Sequence, residues 1–219
     1  MNIFVTNPFP AESAICLPDK HIVKMPLECC QMLSIIASPW YHDYGVLPKQ
    51  DGSPERFISP QSISEEVEGS LRRLKVEAID LYQIHWPHPV ENLADSWQTL
   101  IRLKEEGKVL HVGVCNCYLD ELQLLGIPDH ITSNQPMYNM LERKIESEVL
   151  PWCNENRVSI LAYSPMHSGL LTGKVSKEWF DGLPMNDWRK HKVDHPVVSP
   201  LQSEKGLSSF MTFQSELES

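Results

Sequence analysis

The stretch SISEEVEGSLRRLKVEAIDLYQIHWP, residues 62–87, decides the fold class, because it passes from a helix to a strand across one short connection. Ser62 and Glu65 stand at capping-box spacing, where the hydroxyl accepts from the backbone at the third helical position and the carboxylate reaches back. Ile63, Val67, Leu71 and Leu74 then recur at helical spacing, so the pattern predicts an amphipathic helix over 62–76. Residues 79–86 are short, rich in strand formers and stopped by Pro87, which predicts a strand.

The same alternation continues toward the C-terminus. Leu93, Trp97, Leu100 and Ile101 make a helix face that closes at Gly107, with Lys104 and Lys108 near its negative end. VLHVGVC (109–115) is an almost unbroken apolar run, as expected of a strand covered on both faces. A short helix is predicted over 120–125 and a strand over 131–138. Leu141, Ile145, Val149 and Trp152 predict one further helix, bent at Pro151 where proline removes a backbone donor. VSILAY (158–163) is the last clear strand, ended by Ser164 and Pro165.

Strands alternating with helices on short connections form right-handed βα units around a parallel sheet. Periodicity alone leaves two architectures open, a doubly wound open sheet and a (β/α)8 barrel. Residues 60–175 hold about four units, against eight in a barrel. The four strands are expected in sequential order with their C-termini pointing one way, and a four-strand sector has two uncovered edges that invite pairing.

The whole sequence has 219 residues, with 19 Lys and Arg against 29 Asp and Glu, a net charge of -10. That balance argues against a nucleic-acid binder, whose affinity comes from clustered basic side chains. No run approaches the ~18 apolar residues of a membrane span, and MNIFVTNPFP lacks the basic and apolar regions of a secretory leader. Cysteines at 16, 29, 30, 115, 117 and 153 show no secreted-domain spacing, which fits a reducing cytosol. Cys115 and Cys117 have no second pair at zinc-finger distance, so no metal is expected. Asp19, His21, Lys24 and Glu28 could share one helical side as a polar site, though a solvated helix face explains them as well. The end of the chain, SPLQSEKGLSSFMTFQSELES, is polar and acidic and reads as disordered.

Candidate chemistry collects at the C-terminal ends of the predicted strands, where parallel α/β folds bind ligands. His85 ends its strand and could donate to a carbonyl oxygen or move a proton near neutral pH. Asn116 and Gln135 end later strands in the same sense, and each amide offers a donor and an acceptor. On position alone each reads first as a structural core or loop residue. The stretch YSPMHSGLLTGK (163–174) could turn backbone amides and the Lys174 ammonium toward a phosphate. It is not a Walker loop, because three residues rather than four separate Gly169 from Gly173 and Val175 follows the lysine. G-x-G-x-x-G is absent, so a dinucleotide here would not be held in the Rossmann manner.

Four phrases together resemble the aldo-keto reductases, NADPH-dependent (β/α)8 carbonyl reductases: RFISPQSISEEVEGSLRRLKVEAIDLYQIHWP (56–87), LKEEGKVLHVGVCN (103–116), NQPMYNMLER (134–143) and LAYSPMHSGLLTGK (161–174). They occur in the family's order over residues 56–190. The resemblance implies a partial TIM barrel, about half of one, with a different α/β segment in front of it. It assigns His85 to the histidine that orients the substrate carbonyl. Asn116 and Gln135 fall where the nicotinamide carboxamide is held, and Tyr163 where an aromatic ring stacks on the nicotinamide. Ser164, Pro165, Met166, Gly169 and Lys174 match the loop that wraps the cofactor pyrophosphate. Cys115 stands where the family often has Ser.

The departures are as informative. The family's general-acid Tyr and the Lys and Asp that tune it come from its first three βα units, which residues 1–55 do not resemble. Tyr41, Asp43, Tyr44, Lys49 and Asp51 are the right types without the family's surroundings. The basic segment that clamps the 2'-phosphate of NADPH would lie beyond residue 190. Residues 1–55 instead resemble short proteins of bacteriophage genomes, through MNIFVTNPFPAESA, DKHIVKM, LECCQML and YGVLPKQDGSP. The expected organisation is therefore a phage-like segment (1–55), a partial reductase barrel (56–190) and a tail (191–219). The expected function is NADPH-dependent reduction of an aldehyde or ketone in the cytoplasm, impaired by the missing proton donor. The substrate would be a small-molecule carbonyl, with no nucleic-acid or membrane partner and with homo-oligomers formed through the open edges. The alternatives are a catalytically silent nucleotide-binding or interaction module, and a phage protein whose function lies in residues 1–55.

Overall fold

The computed structural model describes residues 3–5, 14–16, 22–24, 46–48, 54–56, 58–126, 130–185, 187 and 203–218. The chain divides into two compact units, Met1–Tyr163 and Ser164–Ser219.

The first unit is built on a parallel sheet. Its strands β6 (Ile79–Ile84), β7 (Val109–Cys115), β8 (Ser133–Gln135) and β9 (Ser159–Ala162) lie side by side in sequence order, all parallel. This is a sector of a TIM barrel, the architecture that the resemblance implied; β7 equals its predicted run, while β6, β8 and β9 are shorter than theirs by two, five and two residues. An isolated bridge between Met137 and Tyr163 carries the pairing past the ends of β8 and β9. The expectation of two uncovered edges is corrected at β9. Strand β1 (Ile3–Val5), from the other end of the chain, pairs parallel with it, Phe4 opposite Leu161. The chain's first strand thereby satisfies backbone groups that four strands alone leave open.

The remaining N-terminal strands form two antiparallel pairs, β2 (Ala14–Cys16) with β3 (Ile22–Lys24) and β4 (Val46–Pro48) with β5 (Pro54–Arg56). Lys24 lies on β3, so the helical face that would gather Asp19, His21, Lys24 and Glu28 does not form across it. Asp19, His21 and Glu28 fall outside the described residues.

Helix α1 (Pro60–Leu74) begins two residues before the predicted start. Ser59 caps it, with Ser62 N–H donating to Ser59 Oγ at 3.0 Å and Ser59 N–H to Ser62 Oγ at 2.9 Å. The capping box is therefore Ser59 with Ser62, because Pro60 suits the first helical position, where its missing N–H costs nothing. Glu65 instead accepts from Gln61 Nε2 at 2.8 Å. Helix α2 (Leu93–Glu105) buries Leu93, Trp97, Leu100 and Ile101, the face read from the sequence, and the chain turns at Gly107 with φ of +76°. Helix α3 (Leu119–Leu124) follows β7.

The helix predicted from Leu141 through Trp152 is not continuous. Asn139 Oδ1 accepts from the amides of Leu141 and Glu142 at 2.9 and 3.0 Å, which fixes a turn there. A 3-10 turn spans Lys144–Glu146, and helix α4 (Val149–Glu155) starts afresh. Pro151 lies in its first turn, where helices leave N–H groups unpaired, so it starts this helix rather than bending it.

The core is one cluster between the sheet and its helices. It includes Ile63 and Val67 of α1, Trp97 and Leu100 of α2, Val112 and Val114 of β7, and Ile160 of β9. Tyr82 on β6 reaches across it to donate to Glu66 Oε2 on α1 at 3.3 Å.

The second unit has its own small cluster, Leu170 and Val175 packed by Trp179, Phe180 and Phe210. Helix α5 (Lys177–Asp181) is capped by Ser176, whose Oγ accepts from Trp179 N–H at 3.1 Å. Helix α6 (Glu204–Glu218) occupies much of the segment expected to be disordered. Ser203 Oγ accepts from Gly206 N–H at 3.1 Å at its start, and Phe210 gives it an apolar anchor that the polar composition conceals. Among the described residues, no helix is long and apolar enough to cross a membrane.

Candidate functional site

The ladder delivers three of the candidate side chains to one end of the sheet. β6 ends at Ile84, β7 at Cys115 and β8 at Gln135, and the strands are parallel, so His85, Asn116 and Gln135 emerge together at their C-termini. They are tied to one another directly. Asn116 Nδ2 donates to the His85 carbonyl at 3.0 Å, and Asn116 N–H donates to the Gln135 carbonyl at 3.1 Å. Asn116 makes both bonds from a left-handed backbone with φ of +55°, a region that asparagine tolerates better than most side chains. The His85 ring lies against Trp86, centroids 5.6 Å apart.

Gln135 is nearly buried, and its Oε1 takes the Cys115 thiol at 3.7 Å. Cys115 thus orients the glutamine amide, a role that its place in the sequence did not reveal. Among the described residues no bond occupies Asn116 Oδ1 or Gln135 Nε2, which leaves one acceptor and one donor at the strand ends. Tyr163 joins the same end through its bridge to Met137, its N–H donating to the Pro136 carbonyl at 3.0 Å.

Cys115, Cys117 and Cys153 are free and buried. Burial pushes the thiols of Cys115 and Cys117 well up, and that of Cys153 to about 12. All three stay protonated at neutral pH and are poor nucleophiles and poor metal ligands. No group of three or more His, Cys, Asp or Glu among the described residues could hold a metal ion.

Tyr138, just past β8, donates to Glu146 Oε1 at 3.0 Å, and Arg143 grips the same carboxylate through Nε and Nη2, each at 2.8 Å. The Arg143 bond, then the Tyr138 bond, holds the Glu146 carboxyl below its usual range. The Tyr138 phenol is held above its own by the bond to Glu146. A phenol pinned to a carboxylate is the reverse of a tyrosine poised to release a proton. Tyr41, Asp43, Tyr44, Lys49 and Asp51 fall outside the described residues.

The other candidates belong to the second unit. Ser164, His167, Gly169 and Gly173 all have positive φ, at +52°, +45°, +97° and +70°, so the backbone coils tightly. A 3-10 turn spans His167–Thr172. The His167 amide donates to the Ser164 carbonyl at 2.9 Å, and the Gly169 and Leu171 amides both donate to Met166, at 2.9 and 3.2 Å. These three amides are committed within the turn. Met166 and Lys174 are exposed, and Pro165 is half-buried.

Comparison with known proteins gives the family. The model of the aldo/keto reductase family matches residues 33–208. A second family model, pyrimidine dimer DNA glycosylase, matches residues 1–54. The aldo-keto reductase YhdN of Bacillus subtilis is 38% identical over 137 residues, which are 62% of this chain and 40% of the relative. The NADH-specific methylglyoxal reductase of Escherichia coli is 36% identical over 128 residues, 57% of this chain and 39% of the relative. The chain thus aligns to about 40% of the length of these curated relatives. Among solved structures, the glycerol dehydrogenase AKR11B4 from Gluconobacter oxydans superposes with a TM-score of 0.61 at 27% identity, covering 88% of this chain and 64% of that one.

Proposed function

Because the chain belongs to the aldo/keto reductase family, we propose that it keeps the nicotinamide-holding part of such a site while its carbonyl reductase activity is weak or lost. The observation that carries this reading is the tie among His85, Asn116 and Gln135 at the ends of three parallel strands. A nicotinamide carboxamide presents one acceptor and one donor, and Gln135 Nε2 and Asn116 Oδ1 are the complementary pair. The cofactor, NADPH by resemblance, would supply the hydride. Tyr163 would cover one face of the ring, and the His85 imidazole would donate to the substrate carbonyl oxygen and hold it in place. Ser164, Pro165, Met166, Gly169 and Lys174 are the proposed pyrophosphate loop. With the His167, Gly169 and Leu171 amides already bonded, the Lys174 ammonium carries more of that contact.

Reduction also needs a proton for the developing alkoxide, and general acid catalysis contributes about 100- to 10,000-fold. Tyr138 is held protonated by Glu146 rather than poised to give its proton up. His85 is the donor left at the described strand ends, so turnover of a small aldehyde or ketone is expected to be weak. We further propose that preference for NADPH over NADH is slight. One curated relative is named as NADH-specific. The sequence division at 55 and 190, cytoplasmic location, and homo-oligomers formed through the edge of β6 belong to the same proposal.

Calorimetric titration with NADPH and NADH tests it. Weak binding of both, reduced alike by Lys174→Ala, is expected. Absence of binding to either would remove the reading. A second reading, with function in residues 1–54, is favoured by the glycosylase match there. Lys20, Lys24 and Lys49 face five carboxylates in that segment, Glu12, Asp19, Glu28, Asp43 and Asp51. That balance lacks the cationic surface that binds nucleic acid. Binding of a DNA duplex by the full chain, lost on deletion of 1–54, would establish it.

A further inference from the structure

One polar side chain in the sheet is not explained by packing. Gln83 sits among the buried residues Leu81, Tyr82 and Ile84 of strand β6, is 2% exposed, and lies two residues before His85. Its register partners are Gly113 on β7 and, beyond that, Ser133 on β8. Gly113 has no side chain, and Gln83 uses the gap to cross β7. Its Nε2 donates to the Val114 carbonyl at 3.2 Å and to Ser133 Oγ at 3.2 Å. The Val114 carbonyl can only accept, so the NH2 group must face it, which fixes the orientation of the amide.

The crossing is built in at some cost. A Cβ on Gly113 would stand 2.5 Å from Ser133 Oγ, 2.7 Å from the Ser133 carbonyl and 3.2 Å from Gln83 Cγ, so this path exists only with glycine there. Gln83 Oε1 is buried with no hydrogen-bond partner among the described residues, a penalty that a leucine would not carry. The two accepting groups have matching positions. Val114 is two residues before Asn116, and Ser133 is two residues before Gln135. A single amide therefore holds both strands just beneath the two side chains that form the proposed carboxamide pair.

We propose that Gln83 is a positioning residue for Asn116 and Gln135, acting through the Val114 carbonyl and Ser133 Oγ. It sets the relative height of the ends of β7 and β8, and hence the spacing of the acceptor on Asn116 and the donor on Gln135. The proposal rests on the nicotinamide reading of that pair, while its effect on the strand ends can be measured without a ligand.

The test is hydrogen exchange on the full chain with Gln83→Met, which keeps the length of the side chain and removes the amide. The Asn116 amide, bonded to the Gln135 carbonyl, should exchange about tenfold faster, the equivalent of one lost net hydrogen bond. Amides of α4 should be unchanged. Ser133→Ala, which removes one of the two bonds, should give a smaller effect at the same place, and the double variant no more than Gln83→Met alone, because that variant already removes both. Unchanged exchange at Asn116, or acceleration spread evenly over the sheet, would overturn the proposal. If Gln83→Met does not fold, Ser133→Ala decides it alone. Titration then separates the two claims. In the variants, binding of nicotinamide mononucleotide should weaken and that of ADP-ribose should not. Failure of the unmodified protein to bind either would remove the nicotinamide reading and leave the exchange result to judge the positioning role.

Discussion

Two regions that carry the candidate residues are held by different physics. His85, Asn116 and Gln135 stand on neighbouring strands whose ladder is backed by a large buried cluster. Ser164 to Lys174 stand on a coiled loop whose own unit buries Leu170 and Val175 as its core. In the first region, side-chain positions follow from strand register, so a shift at one residue is resisted by the whole sheet. In the second they follow from local turns, with four positive φ values within ten residues. The strand-end region should thus be rigid and the loop over 164–174 adjustable.

The largest test of this contrast is Trp97→Ala. Trp97 is 1% exposed between α2 and the sheet, and removing such a side chain costs about 3–5 kcal/mol. Denaturant unfolding should show that loss as one cooperative shift, and a loss under about 1 kcal/mol would mean that the sheet has no single core. Leu170→Ala in the second unit should cost about 2 kcal/mol, the low end for a buried leucine, because fewer neighbours surround it. Trp179 fluorescence, which reports that cluster, should move at a lower denaturant concentration while the sheet's circular dichroism keeps its midpoint. If both signals shift together, the two regions are one cooperative body and the contrast fails. A smaller effect is expected from Ser59→Ala, which deletes the α1 cap at a cost of about 1 kcal/mol, seen as a lower melting temperature with the first region alone affected.

The smallest effect is one of pH. Burial, aided by Lys104, lowers the His111 pKa below its ordinary 6.5, against the weaker pull of Asp80. The unfolded chain therefore binds more protons than the folded one between the lowered value and 6.5. Stability from this group is complete above 6.5 and declines as pH falls through that window. His111→Gln should flatten the pH dependence of the unfolding midpoint between pH 5 and 7. An unchanged slope would assign it to other groups.

The strands were legible because their apolar runs are short and bounded: 109–115 was read to the residue, and the ends of the others moved inward by one to three. The helices were legible where one face is apolar, as in α2. They were misread where proline and asparagine chemistry decides. Pro60 and Ser59 moved the start of α1, and Asn139 with Pro151 split the element between 141 and 155. Of the candidate site, His85, Asn116 and Gln135 were found from their places at strand ends, and the resemblance gave them roles. Cys115 as a partner of Gln135 was not found, because a thiol in an apolar run looks like any buried small side chain. Gln83 did leave a signal, a lone amide between Tyr82 and Ile84, whose meaning needed Gly113 and Ser133 in register beside it.

Periodicity, proline and glycine in the sequence alone determined that this is a parallel α/β chain of four βα units, since those signals act over a few residues. Tertiary structure decided that the first strand of the chain pairs with β9, that Phe210 anchors a helix in the polar tail, and that one glutamine spans two strand gaps. Each joins residues far apart in sequence, and backbone pairing and burial at such distances leave no local pattern to read.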